Sequence, residues 1–390
     1  MTRQGLGTWD DDRRPILPAR LARLWASLAR LRRLWIDLGR AAQRQGASRA
    51  ALILRAWRLR REAGFWPREA LSEGLLDTRL PDSALEGRIA KRRLKAAQRR
   101  VNPSSLACLT EDKAVFYPYC AALGLRVPRL FAVFATPIGF TAAGEPLGSV
   151  AAWTRFFDSL PDEFVAKPAD GVYGHGVNRF QRSAEGFVDA TGTPYSAAGL
   201  YDWLSSGGSF RKQVIQERIF CHPDLERLSG TRSLQSLRLV TYVDPRGGVE
   251  VYEAVLKIIV GDGLVDNFQH GQTGNLFARV RLENGVLCPA VGPTPDRLGL
   301  VSHVSHPRTG LALSGFSLPG FAEALDLARR AALLFLPLRA IGWDVALTAA
   351  EPVLMEGNVW FDPFNGIAFP LPDGYLPRDG MARLLRLLSA

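Results

Sequence analysis

Lysine is almost missing from this 390-residue chain: six of its 49 basic residues are lysine, and only Lys113, Lys167, Lys212 and Lys257 follow position 100. A chain that otherwise uses arginine makes each lysine informative. Cysteine is also sparse. Cys108, Cys120, Cys221 and Cys288 are widely spaced with no C-x-x-C pair, which argues against a disulfide scaffold and a structural zinc site. The five histidines (His175, His222, His270, His303 and His306) form no metal triad at recognisable spacing. No window approaches 18 consecutive apolar residues, so an integral membrane span is not expected. The start of the chain carries Asp10, Asp11 and Asp12 and no apolar stretch of signal-peptide type, so the expected compartment is the reducing cytoplasm. No G-x-G-x-x-G follows a strand and opens a helix, which disfavours a Rossmann domain. Ser302 and Ser314 lack a G-x-S-x-G context, so a hydrolase triad has little support.

What is present is an ordinary globular composition, 47% hydrophobic and 22% charged, long enough for two or three domains. The net charge of +11 is unevenly spread. Residues 1–100 hold 24 basic and 10 acidic residues, a net of +14, and the remaining 290 hold 25 and 28. The basic excess therefore belongs to the first quarter of the chain. There Leu21, Leu24, Leu28, Leu31, Trp35 and Leu38 recur at spacings of three and four, one apolar helix face, with Arg23, Arg30, Arg32, Arg33 and Arg40 elsewhere. Packing of that stripe on the next helix is the favoured reading over a membrane surface or an acidic partner, and a homodimer is a further use for it. A second helix is predicted from about Ala47 to Arg61 and a third over Arg88–Arg100. Stacking aromatics interleaved with base-reading groups are not evident, so nucleic acid is not the favoured partner.

From Asn102 glycine and proline become frequent and charge balances. Strands are predicted at 164–166, 214–216, 236–243, 249–260, 276–282, 340–346 and 353–356, with helices near 112–123, 198–205 and 321–336. The pattern is α+β and dominated by hairpins.

Two constellations carry chemistry. In the first, Glu163-Phe-Val-Ala-Lys167-Pro168 precedes Gly171, Gly174, His175 and Gly176, a strand ending in lysine and then a glycine-rich loop. Backbone N–H groups of such a loop can approach a polyphosphate while the lysine supplies a point charge; an ordinary hairpin turn explains the glycines alone equally well. In the second, Asp344 lies on one strand and Glu356 and Asn358 on the next. If the two strands pair, the carboxylates meet and Asn358 shares the face of Glu356, because side chains repeat every two residues. Two carboxylates and an amide oxygen suit Mg²⁺. Both acids lie in apolar runs where an unpaired carboxylate is costly, a cost that a metal would remove.

In this order, from about Asn102 to Pro363, these elements resemble the ATP-grasp superfamily and in detail its sugar-transfer-associated branch, related to α-L-glutamate ligases. Gly64-Phe-Trp-Pro and Gly74-Leu-Leu add fainter similarity. The resemblance implies two α+β subdomains that grip ATP between antiparallel sheets, behind a basic helical region. It divides the chain into residues 1–100 and a catalytic body over 101–390. Within the body it implies a linker and first subdomain (101–160), a flap subdomain (161–220) and a magnesium-binding subdomain (221–390). It implies that Lys113 and Lys167 bind nucleotide phosphates under a flap of Gly171, Gly174, His175 and Gly176. Adenine would lie on the Gln216-Glu217-Arg218-Ile219 hinge, and ribose on Asp224. Arg238 would face the γ-phosphate and acyl group, with Lys257 and Asn267 lining the site, and Asp344, Glu356 and Asn358 would hold Mg²⁺. Gly342 departs from the arginine that many related peptide ligases have two residues before the magnesium aspartate.

The activity so implied is an ATP-dependent carboxylate–amine ligase. A small-molecule or peptide carboxylate attacks the γ-phosphate, and an amine displaces phosphate from the acyl phosphate. His175 and His270 are candidates for touching substrate, although a structural histidine is the simpler reading of each. Lys212 matches no motif position and is expected to be solvated. Two other readings stand beside the ligase: a non-catalytic nucleotide-binding module with a basic arm, and an ATP-grasp enzyme whose acceptor is a hydroxyl or thiol.

Overall fold

The computed structural model describes residues 19–80, 85, 88–171, 174, 176–206, 212–364 and 380–389, with side chains from Ser27 onward and without that of His270. The first quarter is helical as expected: α1 (Ala19–Gln45), α2 (Arg49–Glu62), the short α3 (Pro67–Ser72) and α4 (Lys91–Val101). Ser48 caps α2 by accepting from the Ala51 N–H, and Pro67 opens α3, where its missing N–H is not needed. Leu38, Ala41 and Ala42 of α1 pack on Leu52, Ala56 and Leu59 of α2 and on Phe65, Leu71 and Leu75. Among the described side chains only this end of the stripe is buried. Leu28, Leu31 and Trp35 are 48, 61 and 51% exposed, contrary to the packing favoured from periodicity, because α2 is half the length of α1 and covers only its second half. The side chains of Leu21 and Leu24 lie outside the described residues.

The helical region is fastened to the rest of the chain. Arg44 donates to both oxygens of Asp296 at 2.8 and 2.9 Å and to the Leu298 carbonyl at 3.1 Å, and Leu298 joins the helical core. Helix α4, which reaches the boundary expected at residue 100, packs on residues from both sides of it. Leu94 and Ala97 of α4 pack with Val240, Tyr252, Ala340, Phe361, Met381 and Leu384.

Two short helices, α5 (Cys108–Glu111) and α6 (Lys113–Ala122), lead into the first sheet. Its strands are β1 (Leu130–Ala135), β2 (Ile138–Thr141), β3 (Pro146–Leu147), β4 (Glu163–Pro168), β5 (Asn178–Ser183), β6 (Gly186–Asp189), β7 (Pro194–Tyr195) and β8 (Lys212–Glu217). They are antiparallel in the order β3-β2-β1-β8-β4-β5-β6-β7. Strands from both the 101–160 and 161–220 segments thus share one sheet. Helices α7 (Val150–Asp158) and α8 (Ala197–Ser205) cover it over an aromatic core of Phe134, Trp153, Phe157, Phe164, Phe180 and Phe187.

Helix α9 (Pro223–Ser229) precedes the second sheet, made of β9 (Ser236–Val243), β10 (Val249–Ile258), β11 (Leu276–Val280), β12 (Leu287–Pro293), β13 (Leu300–His303), β14 (Ala340–Ala346) and β15 (Val353–Asn358). It is antiparallel in the order β13-β12-β11-β10-β9-β14-β15. Every residue of β9 and β14 is buried, yet the two faces differ. Leu237, Leu239, Ile341, Trp343 and Val345 pack against α10 (Phe321–Leu334), and the Trp343 N–H, fully buried, is matched by Thr241 Oγ1 at 2.8 Å. The opposite face carries Arg238 and Asp344 and is closed at its far end by α4 and α11 (Gly380–Ser389). Among the described residues no helix is long and apolar enough to cross a membrane, and the four cysteines are free.

Candidate active site

Strand register builds the charged centre. Asp344 lies opposite Glu356 across β14–β15 and opposite Arg238 across β14–β9, while Lys257 sits two residues beyond the β10 partner of Arg238. Side chains alternate along a strand, so all four share one face. Arg238 donates to Asp344 through Nε at 2.6 Å and a terminal nitrogen at 3.0 Å, and Lys257 donates to the second oxygen at 2.9 Å. Burial opposes ionisation of Asp344, but these two cations outweigh it and hold the carboxyl well below the usual range. In this structure the buried Asp344 is offset by its own cations, Arg238 and Lys257. Gly342 explains itself at the same place. A Cβ there would lie 3.0 Å from Phe361 Cβ and 3.2 Å from Arg238 Cδ, so the small residue makes room for Arg238.

Glu356 is 3.2 Å from Lys113 Nζ and accepts from Asn358 Nδ2 at 3.3 Å. Lys113 is the first residue of α6, whose cap Asp112 accepts from the Ala114 N–H and pairs with Lys212. Lys212 is therefore engaged, contrary to the expectation of a solvated side chain, and it braces the helix that carries Lys113. Lys167, at the end of β4, has no ion-pair partner among the described residues, and its Nζ lies 5.5 Å from the Tyr117 ring centre. Burial and then the like charge of Lys113 push it down to about 7.

Two cavities meet here. The first, about 190 Å³, lies between the sheets and is lined by Lys167, Gln216, Ile219, Arg232, Asp344 and others. The second, about 510 Å³, holds Arg238, Asn358 and a wall of aromatic residues. Lys113, Gly171, Lys257, Asn267 and Glu356 line both. Gly174 lines the first at φ +71°, and a Cβ there would lie 2.7 Å from Val265 and 3.0 Å from Asn267, so only glycine fits where this position meets the β10–β11 connection. Gly176, also at positive φ, is not among the lining residues, and His175 lies outside the described residues.

Two expected ligands are elsewhere. The Glu217 side chain is exposed and accepts from the Arg129 N–H at 3.0 Å, outside the cleft, because a residue at a strand end alternates away from its neighbour Gln216. Asp224 lies on α9, paired with Arg227 at 3.0 Å, and does not line the cleft. Arg179, Arg232 and Ser233, none of which stood in a recognisable motif, occupy that end together with Arg218 of the expected hinge. His306 is structural: its Nε2 lies 2.9 Å from the Ile259 carbonyl, and its Nδ1 accepts from the Arg308 and Thr309 N–H groups. The side chain of His270 is outside the described residues.

Glu253, on the face of Arg238, is buried with an Oε2 that lacks a partner among the described residues, and burial pushes it up to about 7. A carboxyl raised in the folded state binds more protons there than in the unfolded chain between pH 4.5 and 7, so its contribution to stability is lost as pH rises through that window. Glu253→Gln should therefore gain about 1–3 kcal/mol on wild type between pH 5 and pH 8 in urea unfolding. Parallel pH profiles for the two proteins would contradict the assignment.

The opposed antiparallel sheets, with lysines gathered in the cleft between them, define an ATP-grasp fold. The chain belongs to the sugar-transfer-associated ATP-grasp family, whose model matches residues 92–368. Similar solved structures include the ATP-grasp ligase PsnB complexed with minimal precursor (14% identity, 74% of this chain and 63% of that one, TM-score 0.38). Others are the ADP complex of N5-carboxyaminoimidazole ribonucleotide synthetase (12%, 72% and 53%, 0.39) and an L-amino acid ligase from Bacillus licheniformis (12%, 72% and 48%, 0.38). The chain spans about half to just under two thirds of the length of these structures. No curated protein matches it.

Proposed function

We propose that this protein is an ATP-dependent carboxylate–amine ligase that works through an acyl phosphate. The observation that carries the reading is the junction of two cavities at Lys113, Lys257, Asn267 and Glu356. A nucleotide in the first cavity would present its γ-phosphate there to an acid in the second. Gln216 lines the first cavity with a buried Oε1 that lacks a partner among the described residues, an acceptor suited to the adenine amino group. Lys113 and Lys167 neutralise phosphate charge, and Gly171 and Gly174 belong to the loop that excludes water from the acyl phosphate. Arg238 and Lys257 orient the acid's carboxylate, which attacks phosphorus as the bond to ADP breaks; the amine then attacks the acyl carbon and phosphate leaves.

Asp344, Glu356 and Asn358 would hold Mg²⁺. Their hard oxygens fit it, and with no group of three His, Cys, Asp or Glu among the described residues, phosphate and water oxygens would fill the other positions. Bound there, Mg²⁺ supplies charge neutralisation at the transferring phosphoryl group. In the ligand-free protein Arg238, Lys257 and Lys113 balance these carboxylates.

Release of ADP across a library of acids and amines, with mass spectrometry of the product, tests the reading; an ester or thioester product, or binding of ATP without turnover under all conditions, would overturn it. A second expectation concerns protons. Lys167 is largely neutral at pH 8, and an incoming phosphate restores its charge, so Mg·ADP binding should take up as much as about one proton. Calorimetry at pH 8 in buffers of different ionisation enthalpy measures this, and a buffer-independent enthalpy contradicts it.

A further inference from the structure

Lysine use in the whole chain points into the second cavity. Four of the six lysines have an anionic partner: Lys91 with Asp362, Lys113 with Glu356, Lys212 with Asp112 and Lys257 with Asp344. Among the described residues Lys167 and Lys95 have none, and each lines a cavity. Lys167 meets phosphate in the reading above. Lys95, half-buried on α4, is the one cation lining the second cavity that makes no ion pair among the described residues, since Arg238, Lys113 and Lys257 there are all paired. An ammonium that makes no ion pair in the free protein fits an anion that arrives with the substrate.

Glu111, the last residue of α5, lines the same cavity. It feels both Lys95 and Lys113, forms no ion pair with either among the described residues, and partial burial raises its carboxyl above the usual range. The same cavity is thus lined by two cations, Lys113 and Lys95, and by the carboxylate of Glu111 that feels both. There Phe268, Phe277 and Phe364 form an aromatic cluster, with ring centres 4.6 and 5.3 Å apart. The cavity of about 510 Å³ has the size of a small-molecule site.

We propose that the acceptor is a free α-amino acid with an apolar side chain, its ammonium on Glu111, its carboxylate on Lys95 and its side chain against Phe268, Phe277 and Phe364. The assignment rests on the ligase reading and names its amine. Glu111 takes one proton from the ammonium. The neutral amine attacks the acyl carbon, the bond from that carbon to the phosphate oxygen breaks, and the second amine proton leaves with phosphate. The N-terminal helices thereby act in specificity, since Lys95 comes from α4 and Ser72 of α3 lines the same cavity.

Direct binding separates this proposal from the ligase reading. L-phenylalanine and L-leucine are titrated into the full chain loaded with Mg·ADP, beside phenethylamine, which lacks the carboxylate, and 3-phenylpropionate, which lacks the amine. At least one amino acid should bind, and L-phenylalanine, if it is that one, should bind at least about tenfold more tightly than either fragment. Lys95→Met should weaken amino-acid binding at least about tenfold, Glu111→Gln should weaken it too, and Lys95→Arg should retain it. Circular dichroism identifies folded variants, and retention in Lys95→Arg separates loss of charge from loss of fold. The proposal is overturned if neither amino acid binds, if phenethylamine binds as well as L-phenylalanine, or if Lys95→Met binds like wild type. Binding in the expected pattern without amide product in any acid screen would uphold the pocket and sink the ligase.

Discussion

Lys167→Met should lower ATP-dependent turnover about 10²- to 10³-fold while melting no lower than wild type. The loss follows from removing a fixed charge from the phosphate site, where one preorganised donor is typically worth that much. The retained stability follows from the cost of the residue. Lys167 is 9% exposed, has no ion-pair partner among the described residues, shares its site with the like charge of Lys113 and is pushed down to about 7. Methionine fills similar volume without a charge to desolvate, so the variant removes a group the ligand-free fold would do without. The same depressed lysine gives a pH signature. Between pH 7 and 10.5 the unfolded chain binds a proton at this position that the folded chain does not, so stability from this group rises with pH across that window. Lys167→Met should flatten that rise in urea unfolding curves. Wild-type turnover in the variant would remove Lys167 from the mechanism.

Arg238→Met should cost about 3–5 kcal/mol of stability and abolish turnover. Asp344 is 4% exposed, and removal of the guanidinium leaves it with Lys257 alone among its two cation partners. Breaking a buried pair by taking one partner is far more damaging than losing the pair, because the remaining charge stays desolvated. The double variant Arg238→Met/Asp344→Asn should therefore recover a large part of the stability without recovering activity. Urea unfolding of the four proteins in a double-mutant cycle measures the coupling, and a single-variant cost below about 1 kcal/mol would show that Lys257 alone suffices. Binding of Mg·ADP to the folded double variant then separates the structural role of the pair from its chemistry.

Parts of this site are legible without coordinates because short-range geometry governs them. Strand β9 begins and ends where alternation and turn residues say, at Ser236 and Val243, and the hairpin β14–β15 brings Asp344 opposite Glu356 as a period of two requires. The lysines stand out because arginine fills nearly every other basic position. Other parts are not legible. Glu217 carries an acid at the expected spacing, but one residue of strand alternation turns it to Arg129. Asp224 follows at the expected interval and is held on α9 by Arg227, while Arg232 and Ser233 line the cleft from a loop with no periodic signal. The apolar stripe of α1 reads as continuous, yet its burial stops where α2 runs out of length.

Local periodicity, composition and spacing yield seven of the fifteen described strands, an α+β class and the residues with unusual chemistry. Tertiary structure decides which charges meet. Arg238 neutralises Asp344 because β9 lies between β10 and β14, an order set by packing across the whole sheet. Lys95, one basic residue in a run of six between Lys91 and Arg100, becomes a cavity residue only because α4 docks its apolar side on the body and leaves Lys95 lining the second cavity. Long-range neighbours set the burial and the field at each ionisable group, and those two quantities separate a solvated charge from a functional one.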